Sequence, residues 1–242
     1  MKTKIKNFDK NTFSLTRAIS KLGFASRTNA EKLIIDGVVF VDGKKVTNPK
    51  HRVNIKKNII TINKQIIEEP NKIYIMLNKP KGLITTLKDE KNRDTVFKCF
   101  ENYQLPYIFP VGRLDKATEG LLFFTNDTKW SDKIQSSKID KVYHVKIDSI
   151  PEENSLELLK IGKMCDKDYL KFKDVKILRK GKKRCWLEIV LDEGKYRHIR
   201  RLLNEFNFEV LQLIRVSIGS IKLGDLKKGN WRFLEQSEID SI

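Results

Sequence analysis

The apolar positions near the start of the chain have the spacing of two short helices followed by a hairpin. The apolar face of the first helix comprises Ala18, Ile19 and Leu22. Gly23 can end this helix in a left-handed conformation, and Ser26 can cap the next one. The apolar face of the second helix comprises Ala30, Leu33 and Ile34. Gly37 ends this helix, residues 38–41 are typical of a strand, and the Asp-Gly pair at 42–43 predicts a hairpin turn.

From residue 73 onward the pattern indicates a mixture of strands and helices. Residues 73–77 and 121–124 are uninterrupted apolar runs, which are typical of buried strands. Residues 173–178 and 185–191 alternate between apolar and polar positions, which predicts a hairpin with one buried face. Between these regions, residues 151–164 have the pattern of a short helix that begins after a proline.

These patterns divide the chain into four segments. Residues 1–12 are polar and lysine-rich without periodicity, so we expect a basic N-terminal arm. Residues 13–60 form a small helix and hairpin module, and residues 61–72 have the composition of a linker. Residues 73–242 are then the second and larger domain.

The composition favours a folded protein of the reducing cytoplasm. Hydrophobic residues make up 40% of the 242 positions, enough for a real core. The longest apolar runs have about five residues, whereas a membrane-spanning helix needs about 20, and no apolar segment typical of a secretory signal follows the N-terminus. The three cysteines are too widely spaced to suggest disulfides or a zinc site: Cys99, Cys165 and Cys185. With three histidines in the chain, we expect no metal centre.

The net charge of +18 indicates a polyanionic partner, either a nucleic acid or an anionic membrane face. Residues 1–60 alone carry fourteen Lys and Arg against four Asp and Glu. A second basic stretch, residues 179–184, is either a solvated turn or a phosphate contact. The alternative to a polyanionic partner is a proteome that is rich in lysine throughout.

One carboxylate, Asp115, stands in a polar loop immediately before the apolar run at 121–124. The loop is bounded by Gly112 and Gly120, and the turn formers Asn126 and Asp127 end the run. Such a loop holds Asp115 at the rim of a rigid sheet, where a reactive group can be positioned.

Three arginines cluster on one side of an amphipathic helix. The apolar face of this helix comprises Ile199, Leu202, Leu203 and Phe206. Only 12 of the 49 basic residues are Arg, yet Arg197, Arg200 and Arg201 fall within five positions. Clustered arginines favour bidentate pairing with carboxylate or phosphate. They could also face a nucleic acid without any catalytic part.

Six segments of the chain resemble motifs of the RsuA-like ribosomal RNA pseudouridine synthases. The loop resembles G-R-L-D-x-x-T-x-G-L-L followed by T-N-D, and residues 193–203 resemble E-G-x-x-R-Q-[IV]-R-R-[ML]. The stretch 141–145, Lys-Val-Tyr-His-Val, resembles the K-x-Y-x-V strand, and residues 78–82 match the N-K-P-x-G turn, which we interpret as structural. The closing segments, 213–219 and 223–234, also match.

The N-terminal module resembles an S4-type RNA-binding domain. The matching positions are Arg17, Ser26, Arg27, Glu31, Ile34, Gly37, Val39, Val41 and Gly43. The two resemblances together run from about residue 13 to 234 and imply an α+β protein with a mixed, mainly antiparallel sheet in its catalytic domain. Two departures stand out: His198 replaces the usual Gln, so we assign it no role, and Thr128 replaces the Gly that usually follows T-N-D.

The resemblance implies an enzyme that isomerises a uridine of ribosomal RNA to pseudouridine. It makes Asp115 the catalytic carboxylate, Arg200 its ion-pair partner, and Tyr143 the ring that stacks on the uracil, although the strand pattern alone favours Tyr143 as a core residue. The target base is flipped out, and Arg113 fills the vacated space. Further expected RNA contacts are Arg17, Arg27, Lys32, Lys44, Lys45, Arg197 and Arg201.

The reaction needs no cofactor and no metal, and its partner is ribosomal RNA or a pre-ribosomal particle. Nothing in the chain demands more than a monomer, and the identity of the uridine stays open. So does the choice between a covalent sugar adduct and assistance to elimination. Two alternatives remain: a catalytically silent ribosome-assembly factor, and a nucleic-acid glycosidase that would release free uracil.

Overall fold

The computed structural model describes residues 11–68, 70–87 and 89–242, and the chain falls into two units. The first unit extends to Lys72 and also includes Leu105–Ile108, and the second contains the remaining residues. Most of the predicted N-terminal arm lies outside the described residues. Its last position, Thr12, is the first residue of a strand rather than part of an arm.

The first unit contains two helices and six short strands. They are β1 (Thr12–Ser14), α1 (Leu15–Lys21), α2 (Arg27–Ile35), β2 (Val39–Val41), β3 (Lys44–Lys45), β4 (Arg52–Asn54), β5 (Ile60–Ile62) and β6 (Gln65–Ile66). Strands β1 and β4 pair with each other, and the other four form a sheet in the order β3-β2-β5-β6. Its two helices and the hairpin of β2 and β3 lie where the sequence predicted them.

The helix signals of the sequence have the expected structural effects in this unit. The Ser26 hydroxyl accepts a hydrogen bond of 3.2 Å from the Asn29 N–H and so caps α2. Gly23 has a φ of +69° just after α1, as the predicted left-handed ending requires. The two helices pack on the sheet through one core that includes Leu15, Ala18, Ile19, Ala30, Ile34, Val39, Val53, Ile60 and Ile62.

The predicted linker at residues 61–72 is wrong for its first half. Residues 61–66 contain the end of β5 and all of β6. Asn63 and Lys64 have φ values of +49° and +68° and turn the chain tightly between these strands. Ile62 on β5 and Ile67 after β6 are both buried in the core. The sequence pattern did not predict this hairpin, because its turn is polar and only one side of its short strands is apolar.

The second unit is built on a nine-stranded sheet. Its strands and those of a separate hairpin are β7 (Tyr74–Lys79), β8 (Phe109–Val111), β9 (Glu119–Thr125), β10 (Lys141–Ile147), β11 (Lys163–Cys165), β12 (Asp168–Leu170), β13 (Asp174–Lys180), β14 (Cys185–Leu191), β15 (Val210–Ile218), β16 (Ile221–Lys222) and β17 (Trp231–Phe233). Its helices are α3 (Thr128–Ser136), α4 (Glu153–Ile161), α5 (His198–Glu205), α6 (Gln236–Asp240) and the 3₁₀ helix Val96–Phe100.

The sheet has the order β13-β14-β10-β15-β9-β7-β17, with β16 beside β15 and β8 beside β9. Only the β15–β9 pair is parallel among its described strand pairs, so the mainly antiparallel α+β fold is confirmed. All seven positions of β9 are buried, which confirms the predicted strand after the Asp115 loop. The predicted hairpin of β13 and β14 is also present.

Two element boundaries differ from the prediction. Strand β7 continues through Asn78 and Lys79, which were expected to break it. Both polar side chains have acceptors inside the protein, and the Asn78 amide donates to the Leu226 carbonyl at 2.6 Å. The helix after Pro151 ends at Ile161 instead of continuing to residue 164, since Gly162 has a φ of +95° and packs against the Leu170 carbonyl. None of the described helices is long and apolar enough to cross a bilayer.

Candidate active site

Asp115 lies at the centre of the loop that joins β8 to β9, as the sequence predicted. The loop closes on itself through a hydrogen bond of 3.0 Å from the Thr118 N–H to the Asp115 carbonyl. It leads directly into the middle of the sheet, because β9 lies between β15 and β7. The position of Asp115 is therefore tied to the most buried strand of the second unit.

Five consecutive carbonyl groups of this loop, from residue 114 to residue 118, accept hydrogen bonds. The Thr85 hydroxyl donates to the first of them at 2.7 Å, and the Gly82 N–H donates to the third at 2.8 Å. Arg200 donates to the fourth at 3.3 Å, and Lys79 donates to the second and the fifth. With five of its carbonyls held, the loop backbone that carries the Asp115 side chain is well fixed.

Lys79 is the central support of the loop, and sequence reasoning missed it. Its side chain is fully buried, and its ammonium donates to the carbonyls of Pro80, Asp115 and Thr118 at 3.2, 3.2 and 2.8 Å. Burial lowers the pKa of Lys79 to about 8, and the charge of Asp115 opposes that shift. The available signal was a lysine directly after a buried apolar strand, in a turn that was interpreted as merely structural.

The Asp115 carboxylate faces a cavity of about 550 Å³. Among the described residues no side chain or N–H donates a hydrogen bond to this carboxylate, in contrast to the five bonded carbonyl groups around it. The cavity is lined by the loop, by strands β10 and β15 and by the segment before α5, including Arg113, Asp115, Lys141, Tyr143, Glu193, Arg197, His198, Arg200 and Arg215. An unpaired carboxylate on a rigid loop is suited to act on a ligand in this cavity.

Tyr143 is the aromatic side chain that β10 contributes to this cavity. It is 9% exposed, and its cross-strand neighbours are Ile189 on β14 and Arg215 on β15. The ring is buried, as the sequence pattern alone favoured, and it also lines the cavity. The ring belongs to the buried face of the sheet, and that face is also the floor of the cavity.

Arg200 lies near Asp115, but the predicted ion pair between them is not formed. Its guanidinium donates to the carbonyls of Ala117 and Val210 at 3.3 and 3.2 Å. Burial and the charge of Arg197 lower the pKa of Arg200, and the charge of Asp115 opposes this. Arg200 therefore supports the loop backbone and places a positive charge near the carboxylate without bonding to it.

The other arginines of the cluster have different environments. Arg197 and Arg113 are exposed and line the cavity, so both stay available to a ligand. Arg201 was expected to contact RNA, but its guanidinium pairs with Asp168 at 2.7 Å and with Asp166 at 3.3 Å. These ion pairs attach α5 to the β11–β12 hairpin, and we remove Arg201 from the set of RNA contacts.

His198, which was assigned no role, is 3% exposed at the start of α5. Its Nδ1 lies 3.4 Å from a carboxylate oxygen of Glu193, and its ring lies 6.1 Å from that of Phe172. Burial lowers the pKa of His198, so the imidazole is neutral at physiological pH. Sequence reasoning also missed Lys141 and Arg215, which no charge pattern singled out.

In the first unit the five predicted RNA contacts are all exposed. They are Arg17, Arg27, Lys32, Lys44 and Lys45. No described carboxylate forms an ion pair with any of them, and Arg17 and Lys21 lie over the ring of Phe13 at 5.3 and 4.8 Å. The described part of the unit thus presents positive charges that form no ion pair with its described carboxylates.

Comparisons with known proteins found matches to both units of the chain. A family model described as RNA pseudouridylate synthase matches residues 73–205, and one described as S4 domain matches residues 15–59. The chain is 38% identical over 232 residues to an RNA pseudouridine synthase of Rickettsia prowazekii (strain Madrid E), covering 93% of this chain and 96% of that protein. It is 34% identical over 233 residues to ribosomal large subunit pseudouridine synthase B of Bacillus subtilis (strain 168), covering 94% of each. A crystal structure of a pseudouridylate synthase superposes with a TM-score of 0.65 at 25% identity, covering 95% of this chain and 99% of that one.

Proposed function

This chain belongs to the RNA pseudouridylate synthase family of isomerases and carries an S4 domain at its N-terminal side, and we propose that it converts one uridine of ribosomal RNA to pseudouridine. In this proposal Asp115 is the catalytic carboxylate, Tyr143 stacks on the uracil, and Arg200 supplies a positive charge near Asp115. The observation that carries the proposal is the Asp115 loop, whose carbonyl groups from residue 114 to residue 118 all accept hydrogen bonds while its carboxylate is at the cavity and accepts none from the described residues.

The proposed reaction moves the uracil from one bond to another on the same sugar. The N1–C1′ bond breaks and its electron pair stays with the base. Asp115 acts on the sugar by one of two routes: it bonds to C1′ and that bond breaks when C5 attacks C1′, or it removes the C2′ proton in an elimination and returns that proton when C5 bonds to C1′. The base then turns, C5 bonds to C1′, the proton leaves C5, and N1 takes up a proton. No atom is gained or lost overall, so the chain's own side chains suffice for this sequence of steps.

The cavity is of a size for a single nucleotide taken out of the RNA stack. Flipping out a base costs a few kcal/mol, which contacts in the cavity and to the vacated position must offset. Arg113, two residues before Asp115, is exposed at the cavity and is suited to fill the vacated position. Arg197 at the same rim is suited to contact the phosphates beside the flipped nucleotide.

Ribosomal RNA is the substrate class that the comparisons favour. The Bacillus subtilis relative is described by its name as acting on the large ribosomal subunit. The S4 unit of this chain presents exposed cations that suit RNA phosphates, and sequence-specific RNA recognition favours loops and bulges. We therefore propose that the target uridine lies in a structured loop of ribosomal RNA. We also propose that the protein acts in the cytoplasm as a monomer.

Pseudouridine mapping of ribosomal RNA from cells with and without the gene tests this proposal. The deletion strain is complemented with the wild-type chain or with Asp115→Asn, which keeps the side-chain shape and removes the charge. We expect one pseudouridine to disappear, to return with the wild type and to stay absent with the variant. The affinity of the variant for the RNA, measured by filter binding, is expected to match that of the wild type.

Each other outcome points to a specific alternative. If Asp115→Asn restores the pseudouridine, the assignment of Asp115 as the catalytic carboxylate is wrong. If no ribosomal site depends on the gene, the substrate is not ribosomal RNA or the protein is a silent assembly factor. Free uracil among the products of the purified protein would indicate a glycosidase.

A further inference from the structure

Arg215 and Tyr143 are cross-strand neighbours on β15 and β10. Residues directly opposite each other in an antiparallel pair project from the same face of a sheet. Both side chains line the cavity that Asp115 faces. A base stacked on Tyr143 therefore lies within reach of the Arg215 guanidinium.

The Arg215 guanidinium has more donors than the protein uses. The residue is 6% exposed, and its Nε donates to the Leu121 carbonyl at 2.8 Å. The terminal Nη2 is buried, and in the part of the chain that the structure describes it has no acceptor. No described carboxylate forms an ion pair with Arg215. A buried charge without a carboxylate partner is costly, and the Arg215 side chain lines the cavity, so a ligand there is suited to supply an acceptor to the guanidinium.

A second cation, Lys141, lines the same cavity from β10, two residues before Tyr143. Its ammonium donates to the Ile139 carbonyl at 2.8 Å. Burial lowers the pKa of Lys141, the charge of Arg215 adds to this, and Asp192 and Asp140 oppose it. The two cations are therefore close enough to repel each other, and a ligand that carries negative charge would relieve the repulsion.

We propose that Arg215, supported by Lys141, is a catalytic residue that stabilises the uracil as it leaves C1′. This inference rests on the proposed function. When the N1–C1′ bond breaks, its electron pair gives the base a negative charge that spreads onto its carbonyl oxygens, one of which accepts from the guanidinium. The charge exists only once the bond is breaking, so the interaction strengthens toward the transition state. A contact to a backbone phosphate would instead be equally strong before and during the reaction.

The base that leaves provides a direct test of this role. Single-turnover rates are measured on two RNA oligonucleotides that span the site found by mapping, one with uridine and one with 5-fluorouridine at the target position. Loss of the target nucleoside after nuclease digestion reports N1–C1′ cleavage in both. Because 5-fluorouracil is more acidic than uracil, it needs less stabilisation as it leaves. We expect Arg215→Gln to slow cleavage of the uridine substrate by about 100-fold. For the 5-fluorouridine substrate we expect the loss of cleavage rate to be about tenfold or less.

Equal losses on the two substrates would overturn the proposal and make Arg215 a structural residue. A loss of RNA affinity with an unchanged single-turnover rate would also overturn it, in favour of a phosphate contact. Arg215→Lys keeps the charge, and we expect it to recover part of the rate with uridine. If Arg215→Gln does not fold, Lys141→Gln is used for the test. We expect it to lower the cleavage rate less than Arg215→Gln would, and to lower it more for uridine than for 5-fluorouridine.

Arg232→Gln is the matched control, since Arg232 lies on β17, pairs with Glu238 of α6 and does not line the cavity. We expect it to keep the wild-type rate on both substrates. The wild-type chain itself separates the two hypotheses: if it forms no pseudouridine in the uridine oligonucleotide, the proposed function fails before the question of Arg215 arises. A wild type that is active while Arg215→Gln shows equal losses overturns the inference about Arg215 alone.

Discussion

The ammonium of Lys79 lies 3.2 Å from the carbonyl oxygen of Asp115. This contact joins the end of one central strand to the loop that precedes the next. The same ammonium bonds two further carbonyls, so one buried side chain fixes both ends of the short turn from Asp115 to Thr118. The site thus depends on a charge that never reaches the cavity surface, and this charge gives rise to two predictions.

Replacement of Lys79 by Met keeps most of the length of the side chain but removes the ammonium that donates to three carbonyls, of which that of Asp115 keeps a second donor, the Thr118 N–H. We expect the Asp115 loop to shift and the turnover number to fall by about 100-fold, since a displacement of about 1 Å at a reacting group costs that much. RNA affinity, measured by filter binding, is expected to stay the same. Lys81→Met is the control, because Lys81 is exposed in the same turn. Full activity in Lys79→Met would show that the loop holds its position without the ammonium.

Activity is expected to fall as the pH rises through about 8, the pKa of Lys79 in the folded protein. The neutral amine has two N–H groups for three carbonyl acceptors, so one loop contact is lost. Asp115, Cys99 and Glu119 are the titratable groups that act on this pKa. The check is the pH profile of the single-turnover rate, in which Lys79→Met lacks this decline.

Unfolding cannot produce the same decline through Lys79. Folding lowers the pKa of Lys79 from 10.5 to about 8, so between these values the unfolded chain holds more protons than the folded one. The contribution of this group to stability therefore rises with pH in that range. Thermal unfolding followed over the same pH range separates the two effects. If the melting temperature fell over the same pH range as the single-turnover rate, unfolding would explain the loss of activity, and the role of Lys79 in that loss would be contradicted.

Replacement of Gly120 by Ala is expected to destabilise the second unit strongly. Gly120 has a φ of +101°, and a Cβ there would overlap the backbone of Arg215 on the parallel strand β15. Gly224→Ala is a matched control, because Gly224 has a φ of +57° with open space around it. The control bears only the cost of the left-handed backbone, about 1–2 kcal/mol. Urea unfolding should show a clearly larger loss for Gly120→Ala, and similar losses would mean that β9 and β15 can separate locally.

Arg201 and Arg197 are expected to separate stability from RNA binding. Arg201→Gln breaks the ion pairs with Asp168 and Asp166, so its melting temperature should fall while its RNA affinity is kept. Arg197→Gln should leave the melting temperature unchanged and lower the salt dependence of RNA binding by about one unit in the log–log slope. Titrations at several salt concentrations check this. A changed salt slope for Arg201→Gln would return that residue to the set of RNA contacts.

The local patterns of the sequence predicted most elements correctly. The Ser26 cap, the buried strand after Asp115 and the hairpin of β13 and β14 all depend on neighbours in the chain. The errors fall where distant contacts decide. Strand β7 continues through Lys79 because loop carbonyls nearly forty residues away accept hydrogen bonds from its ammonium. Residues 61–66 form a hairpin because the core of the first unit buries one side of it.

The sequence by itself determined the two units, the family and the loop that carries Asp115, because motifs and periodic patterns are properties of adjacent residues. Only the tertiary structure decided which charges meet at the cavity. It brought Arg215 opposite Tyr143, directed Arg201 to Asp168, and let Arg200 bond the loop backbone in place of the Asp115 carboxylate. The physical reason is that strand register and burial choose the partners of a charged side chain, and neither is encoded in the spacing of charges along the chain.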